Sequence, residues 1–149
     1  MRKKIYNSLS EAILALKDDK EQPLIKHIDL WNQNVDFYAD FIFPTPAVFL
    51  EFTDIRYSKV KDNRNQLADV DFSLHIVTDA PQSSAAGAYG QQASLEFLDL
   101  IEKINLAILP LDGDRFENVI RTASQTNHDH GELMENIEQY SCRGCSPLK

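Results

Sequence analysis

LADVDFSLHIVTDAPQSSAAGAYGQQASLEFLDLIEKINLAIL, residues 67–109, changes its hydrophobic period in mid-course. Its first part alternates. Val70, Phe72, Leu74 and Ile76 fall on one side, and Asp69, Asp71, Ser73 and His75 on the other. That two-residue period predicts a strand with one buried and one wet face, as in an antiparallel sheet covered by helices on one side. Pro81 to Gly90 is rich in small residues and reads as a flexible connection. From about residue 91 to 108 the period lengthens, with Leu95, Leu98, Ile101, Asn105 and Ile108 at helical spacing. Pro110 and Asp112-Gly113-Asp114 stop that helix. The order strand, crossover helix, then hairpin frames everything else.

Working outward, Ile5, Leu9, Ala12, Ile13 and Leu16 share one face, predicting an amphipathic helix over 4–17 that Asp18-Asp19-Lys20 and Pro23 end. Residues 25–31 read as a short strand, with Ile28 and Leu30 facing one way and His27, Asp29 and Trp31 the other. Residues 32–46 are irregular yet apolar (Val35, Phe37, Tyr38, Phe41, Ile42, Phe43), and a short helical turn fits around 34–39. Pro44 and Pro46 force an extended approach to a strand beginning at Ala47. Val48, Leu50 and Phe52 share a face, and the strand runs on toward Tyr57. Residues 58–66 are polar and net basic and read as a long mobile hairpin loop. After the second helix, Phe116 to about Ser124 forms a strand. Asn127 to Gly131 turns the chain, and 133–142 returns as a last strand whose apolar phase slips by one, predicting a bulge. The expected fold is α+β: a mixed, mostly antiparallel sheet of about four to five strands with two main helices packed on one face.

The chain has 149 residues, which fits one domain over 1–149. It is long enough to bury roughly 70% of its unfolded surface without a metal or disulfide. The net charge of −8 argues against a general nucleic-acid binder, since duplex binding relies on Lys and Arg neutralising phosphates. Met1-Arg2-Lys3-Lys4 resembles the start of a signal peptide, but Asn7, Ser8, Ser10 and Glu11 interrupt any apolar core. No window approaches the ~20 apolar residues of a membrane span. The expectation is a cytosolic protein with no membrane partner.

Candidate chemistry is sparse. Cys142-Arg143-Gly144-Cys145 is a CxxC, and His128 and His130 would complete a set of four zinc ligands. In a simple hairpin, however, the histidines sit at the turn and the cysteines at the far end, about 12 residues or roughly 40 Å away at ~3.3 Å per residue. Incidental thiols are the better reading, and a small metal-binding module using the Cys pair is the alternative. His128-Asp129-His130 suits a turn that Gly131 completes. Asp69, Asp71 and Asp79 read as a solvated strand face, with an enzyme using Asp69 or Asp71 together with His75 as the rival. Ser83 to Gly90 lacks the spacing and the lysine of a phosphate-binding loop. Lys59, Lys61 and Arg64 on the long loop, and Trp31 on its strand, are candidate subunit or partner contacts; the loop reads equally as a solvated turn, and Trp31 as a core residue of a second layer. No cofactor is expected, and no catalytic residue is assigned.

Taken in order, these elements resemble the tail-terminator (tail completion) proteins of long-tailed bacteriophages. The resemblance rests on the N-terminal helix Lys4 to Lys17 and the strand Pro44-Thr45-Pro46-Ala47-Val48-Phe49-Leu50-Glu51-Phe52. It continues through a long loop, the alternating strand Ala68 to Thr78, the helix Gln92 to Ile108 and the hairpin Arg115 to Arg143. The insert 32–43 and the cysteine-containing tail depart from the pattern. The resemblance implies a non-enzymatic structural protein of a phage or prophage, usually a hexameric ring. Such a ring caps the tail tube, stops its growth and presents a surface to the head. A head–tail connector is a near neighbour in role. The implied partners are the chain itself and the tail-tube and head-completion proteins. The implied location is the host cytoplasm and then the virion tail.

Overall fold

A computed structural model describes residues 1–40, 42–59 and 64–147, with Lys59 by its backbone only. Phe41 and Lys61 lie outside the described residues. The elements are α1 (Arg2–Leu14), β1 (His27–Leu30), β2 (Ala47–Lys59), β3 (Asn65–Asp79), α2 (Gln91–Ile108), β4 (Phe116–Asn127) and β5 (Leu133–Pro147). The strands form one sheet in the order β1-β2-β3-β5-β4. Only the β1–β2 pair is parallel. The fold is therefore α+β with a mixed, mostly antiparallel sheet, and both helices pack on the same face of it. Among the described residues no helix is long and apolar enough to cross a membrane.

The even-numbered residues of β3 build the helix face. Val70, Phe72, Leu74 and Ile76 meet Val48 and Leu50 of β2, Tyr140 and Cys142 of β5, and the inner stripes of the helices. Ile5, Leu9 and Ile13 of α1 are each fully buried, so each stabilises the fold by about 1.5–3 kcal/mol relative to exposure. Phe97, Leu100, Ile101, Ile104 and Ile108 do the same for α2. α1 starts two residues earlier than the pattern predicts and ends at Leu14 instead of residue 17. Its last turn gives way to a bend in which Lys17 bridges to Pro23.

The opposite, or far, face is not uniformly wet, which corrects the simple alternation read from β3. Ser73 and His75 were expected outside; both are buried, as is Val77. The cause is the apolar segment after β1. It lies across one end of the far face, where Val35, Phe43, Trp31 and Tyr38 pack on Ala47, Phe49, Val77 and Leu133. Its backbone is a series of turns, with no helix at 34–39. The lower half of this face stays bare, and Leu67 and Ile120 are about half exposed there.

Two further expectations change. Of the predicted long hairpin loop 58–66, residues 58–59 and 65–66 belong to strands, with Ser58 paired with Leu67 and Lys59 with Gln66, and residues 60–63 lie outside the described residues. The bulge expected in the last strand is absent, since β3 and β5 pair in one register from Asn65↔Pro147 to Asp79↔Leu133. The irregularities fall in β4, between Glu117 and Ile120 and between Arg121 and Ala123, and in β2 between Phe52 and Asp54. The phase slip in β5 has a different origin. Glu135, Asn136 and Glu138 are polar yet buried, so polarity and burial do not coincide along that strand.

Candidate functional site

The most elaborate polar constellation lies on the covered part of the far face. His75 of β3 and Glu135 of β5 both project there, because Glu135 pairs with Val77 two residues along. His75 Nδ1 is 2.7 Å from Glu135 Oε1, and its Nε2 is 3.2 Å from Glu51 Oε2 on β2. Each ring nitrogen thus faces a carboxylate, an arrangement in which both act as donors only in the imidazolium form. Trp31 closes the site from above. Its ring lies flat on His75, with centroids 3.8 Å apart and planes 3° from parallel, a geometry that suits a cation on an indole face. Asn127 Nδ2 donates to Glu135 Oε2 at 2.7 Å. His130 Nε2 lies 3.3 Å from Glu135 Oε2 and 3.4 Å from Asp36 Oδ1.

Glu135 is 1% exposed. Burial alone raises the pKa of such a carboxyl. Here the hydrogen bonds from His75 and Asn127 and the charges of His75 and His130 outweigh it and hold the pKa below the usual value. The cluster is a charge network, buried at His75 and Glu135 and open to solvent at Glu51 and Asp36, that ties β2, β3 and β5 to Trp31 and Asp36 of the segment after β1. A second buried carboxylate, Glu138, sits on the helix face. It accepts from Ser124 and Asn136 and lies 3.1 Å from Arg121, which also reaches Glu102 of α2 at 2.9 Å. The first network ties the β4–β5 hairpin to β2 and β3, and the second ties it to α2.

The residues singled out from sequence are spread widely. Trp31 is half-buried in the second core instead of standing exposed on a strand. Lys59 and Arg64 flank the β2–β3 hairpin tip, about nine residues along β2 from Leu50, whose carbonyl accepts from Trp31; that is roughly 30 Å at ~3.3 Å per residue. Trp31 and the basic tip therefore do not form one site. Asp71 is held by Arg56 at 2.8 Å, and three strand residues separate it from His75, so the rival Asp–His pair does not assemble.

The cysteine pair fares no better as a metal site. Cys142 and Cys145 both lie within β5, and a separation of three along a strand sends them to opposite faces. Cys142 is buried in the helix-side core, and burial, with Asp71 adding to it, pushes its thiol up to about 12. Zinc and redox chemistry both need a thiolate. His128 and His130 sit at the other end of the β4–β5 hairpin. Among the described residues no group of three or more His, Cys, Asp or Glu side chains is placed to hold a metal ion.

The charged run Met1-Arg2-Lys3-Lys4, which in sequence resembles the start of a signal peptide, has a different place in the fold. Arg2, Lys3 and Lys4 form the exposed first turn of α1, which contains no acidic residue and has no side-chain cap. The fold brings this turn beside Gly144 and Asp114, at the end of the sheet that also carries Arg115 and Arg143. The signal was present in the sequence, because three cations at a helix N-terminus oppose the helix dipole.

No protein-family model and no curated protein matches this sequence. Among solved structures, the chain is similar to one from a structure described as "Virion of native gene transfer agent (GTA) particle". The match covers 98% of this chain and 95% of that one, with a TM-score of 0.52 and 10% sequence identity. At that identity the likeness is one of fold, and it spans the molecule from end to end.

Proposed function

We propose that this protein is a structural component of a phage or prophage particle, a tail-terminator-like domain. In this reading it forms a ring that caps the tail tube and joins it to the head. The observation that carries the reading is the end-to-end fold likeness to a chain of a virion particle. The order of elements supports it, since it resembles that of tail-terminator proteins. The internal chemistry is compatible with it, because the buried groups of both polar clusters, Glu135 and Glu138, are paired with neighbouring strands of the fold. The partners would be further copies of the chain, closing as a hexameric ring, together with tail-tube and head-completion proteins. The protein would work first in the host cytoplasm and then in the virion tail.

Light scattering across a concentration series, with negative-stain images of the large species, tests the ring. Closed rings of about six subunits, a cyclic assembly through a heterologous contact, are the expected result. The companion experiment deletes the gene from its particle and measures tail length by electron microscopy. Overgrown tails are expected. Monomers at every concentration together with tails of normal length would overturn the reading.

A further inference from the structure

This acidic chain sorts its charges along the strand axis. At one end of the sheet, where β3 and β4 begin and β5 finishes, Arg2, Lys3 and Lys4 are exposed on the helix side, and Arg143 is exposed on the far face. The carboxylates at this end are partly engaged. Lys4 Nζ is 3.4 Å from Asp114, and Asp112 accepts from the Asn118 amide. Glu117 stands opposite Arg143 in the β4–β5 register. At the other end Asp79, Asp129 and Glu132 are exposed around the β4–β5 turn. Beside them Asp18, Glu96 and Asp99 rim a groove of about 490 Å³ floored by Phe97 and Leu100, with Lys103 the cation on its edge.

The first turn of α1 is the most cationic element of the basic end. Helix N-termini present unpaired N–H groups and partial positive charge, which favour anions. Here the turn holds three cations, no acidic residue and no side-chain cap. The arrangement weakens the isolated helix, and an anionic surface seated against the turn reverses that cost. The opposite end of the same molecule offers such a surface, with an apolar floor inside an acidic rim.

We propose that the basic end of one copy, centred on the first turn of α1, seats on the acidic groove of the next copy. The two surfaces differ, so the contact is heterologous and closes by rotation. This inference rests on the ring reading above and names the surfaces through which the ring closes. Because the complementary groups are exposed, the contact weakens with salt as the Debye length falls from about 10 Å at 0.1 M to 3 Å at 1 M.

The test uses two full-length variants, Arg2→Glu/Lys3→Glu and Glu96→Lys/Asp99→Lys. All four positions are exposed, and thermal melts confirm that each variant folds. Sedimentation velocity at low and high salt reads the assembly. The wild type should assemble at low salt and dissociate at high salt. Each variant alone, now carrying like charge at both ends, should lose the assembled species. An equimolar mixture of the two should recover it. Normal rings from Arg2→Glu/Lys3→Glu, or an assembly indifferent to salt, would overturn the contact while leaving the ring reading standing. A wild type that stays monomeric at every salt concentration overturns the contact, and the ring reading then falls to the tail-length experiment.

Discussion

Glu135 takes hydrogen bonds from His75 and Asn127 and lies within ion-pair distance of His130, all while 1% exposed. Removing His75 leaves that carboxylate buried without one of its two shortest hydrogen bonds and strips the surface on which Trp31 lies. Breaking a buried pair from one side typically costs about 3–5 kcal/mol. His75→Ala should lower the unfolding free energy by about that amount in urea titrations, and a loss below ~1 kcal/mol would show the network to be slack. The same site sets a pH dependence. The folded pKa of Glu135 lies below its unfolded value of 4.5. Its contribution is complete above the unfolded value and is lost as pH falls below it and through the folded pKa. Glu135→Gln removes that titration. The variant should be less stable at neutral pH, and its stability should fall less steeply than that of the wild type as pH drops below 4.5. Parallel acid slopes for the two proteins would place the pH sensitivity elsewhere.

At the scale of elements, the connection between β3 and α2 is more constrained than its small residues suggest. Gly87 has a φ of +80° in open space, whereas a Cβ at Gly90 would come 2.4 Å from the Ser83 carbonyl oxygen and 2.6 Å from Pro81 Cβ. Gly87→Ala therefore meets only the left-handed backbone penalty of about 1–2 kcal/mol. Gly90→Ala forces backbone apart at the start of α2 and should cost about 1–3 kcal/mol as an overpacked site does. Thermal melts of the two variants should rank Gly90→Ala as the less stable, and equal melting points would refute the close approach. Here, too, lies the boundary of what the sequence shows. Periodicity alone reveals β3 and α2, because each buries one face at its own repeat. It does not reveal that β5 inserts between β3 and β4, since strand order is settled by non-local pairing. Nor does it reveal the burial of Ser73 and His75, because their cover comes from residues more than thirty positions away in sequence. The cluster around His75 was illegible for the same reason. Its carboxylates, Glu51 and Glu135, look like ordinary solvated charges until the sheet is assembled.

At the scale of the molecule, the strands act as an axis joining two chemically different ends. Both the α1 first turn and the paired ends of β2 and β3, at Lys59 and Gln66, lie at the basic end, yet they belong to different layers. The helix turn stands on the helix side, and the strand ends belong to the sheet itself. In a ring whose neighbours meet through α1, the tip is left to face something other than a sister subunit, and the tail tube is the partner the proposed role supplies. Lys59 ends β2, Arg64 directly precedes β3, and Lys61 stands between them in the chain. The two contacts should therefore separate genetically. A triple reversal, Lys59→Glu/Lys61→Glu/Arg64→Glu, should fold, with its melting point within about 2–4 °C of the wild type, the shift that ~1 kcal/mol produces at this size. It should still form rings, and particles carrying it should show overgrown, uncapped tails by electron microscopy. If those tails are capped at normal length, the hairpin tip does not meet the tube. If the triple variant loses its rings, the tip belongs to the subunit contact, and the division of labour between the two layers is wrong.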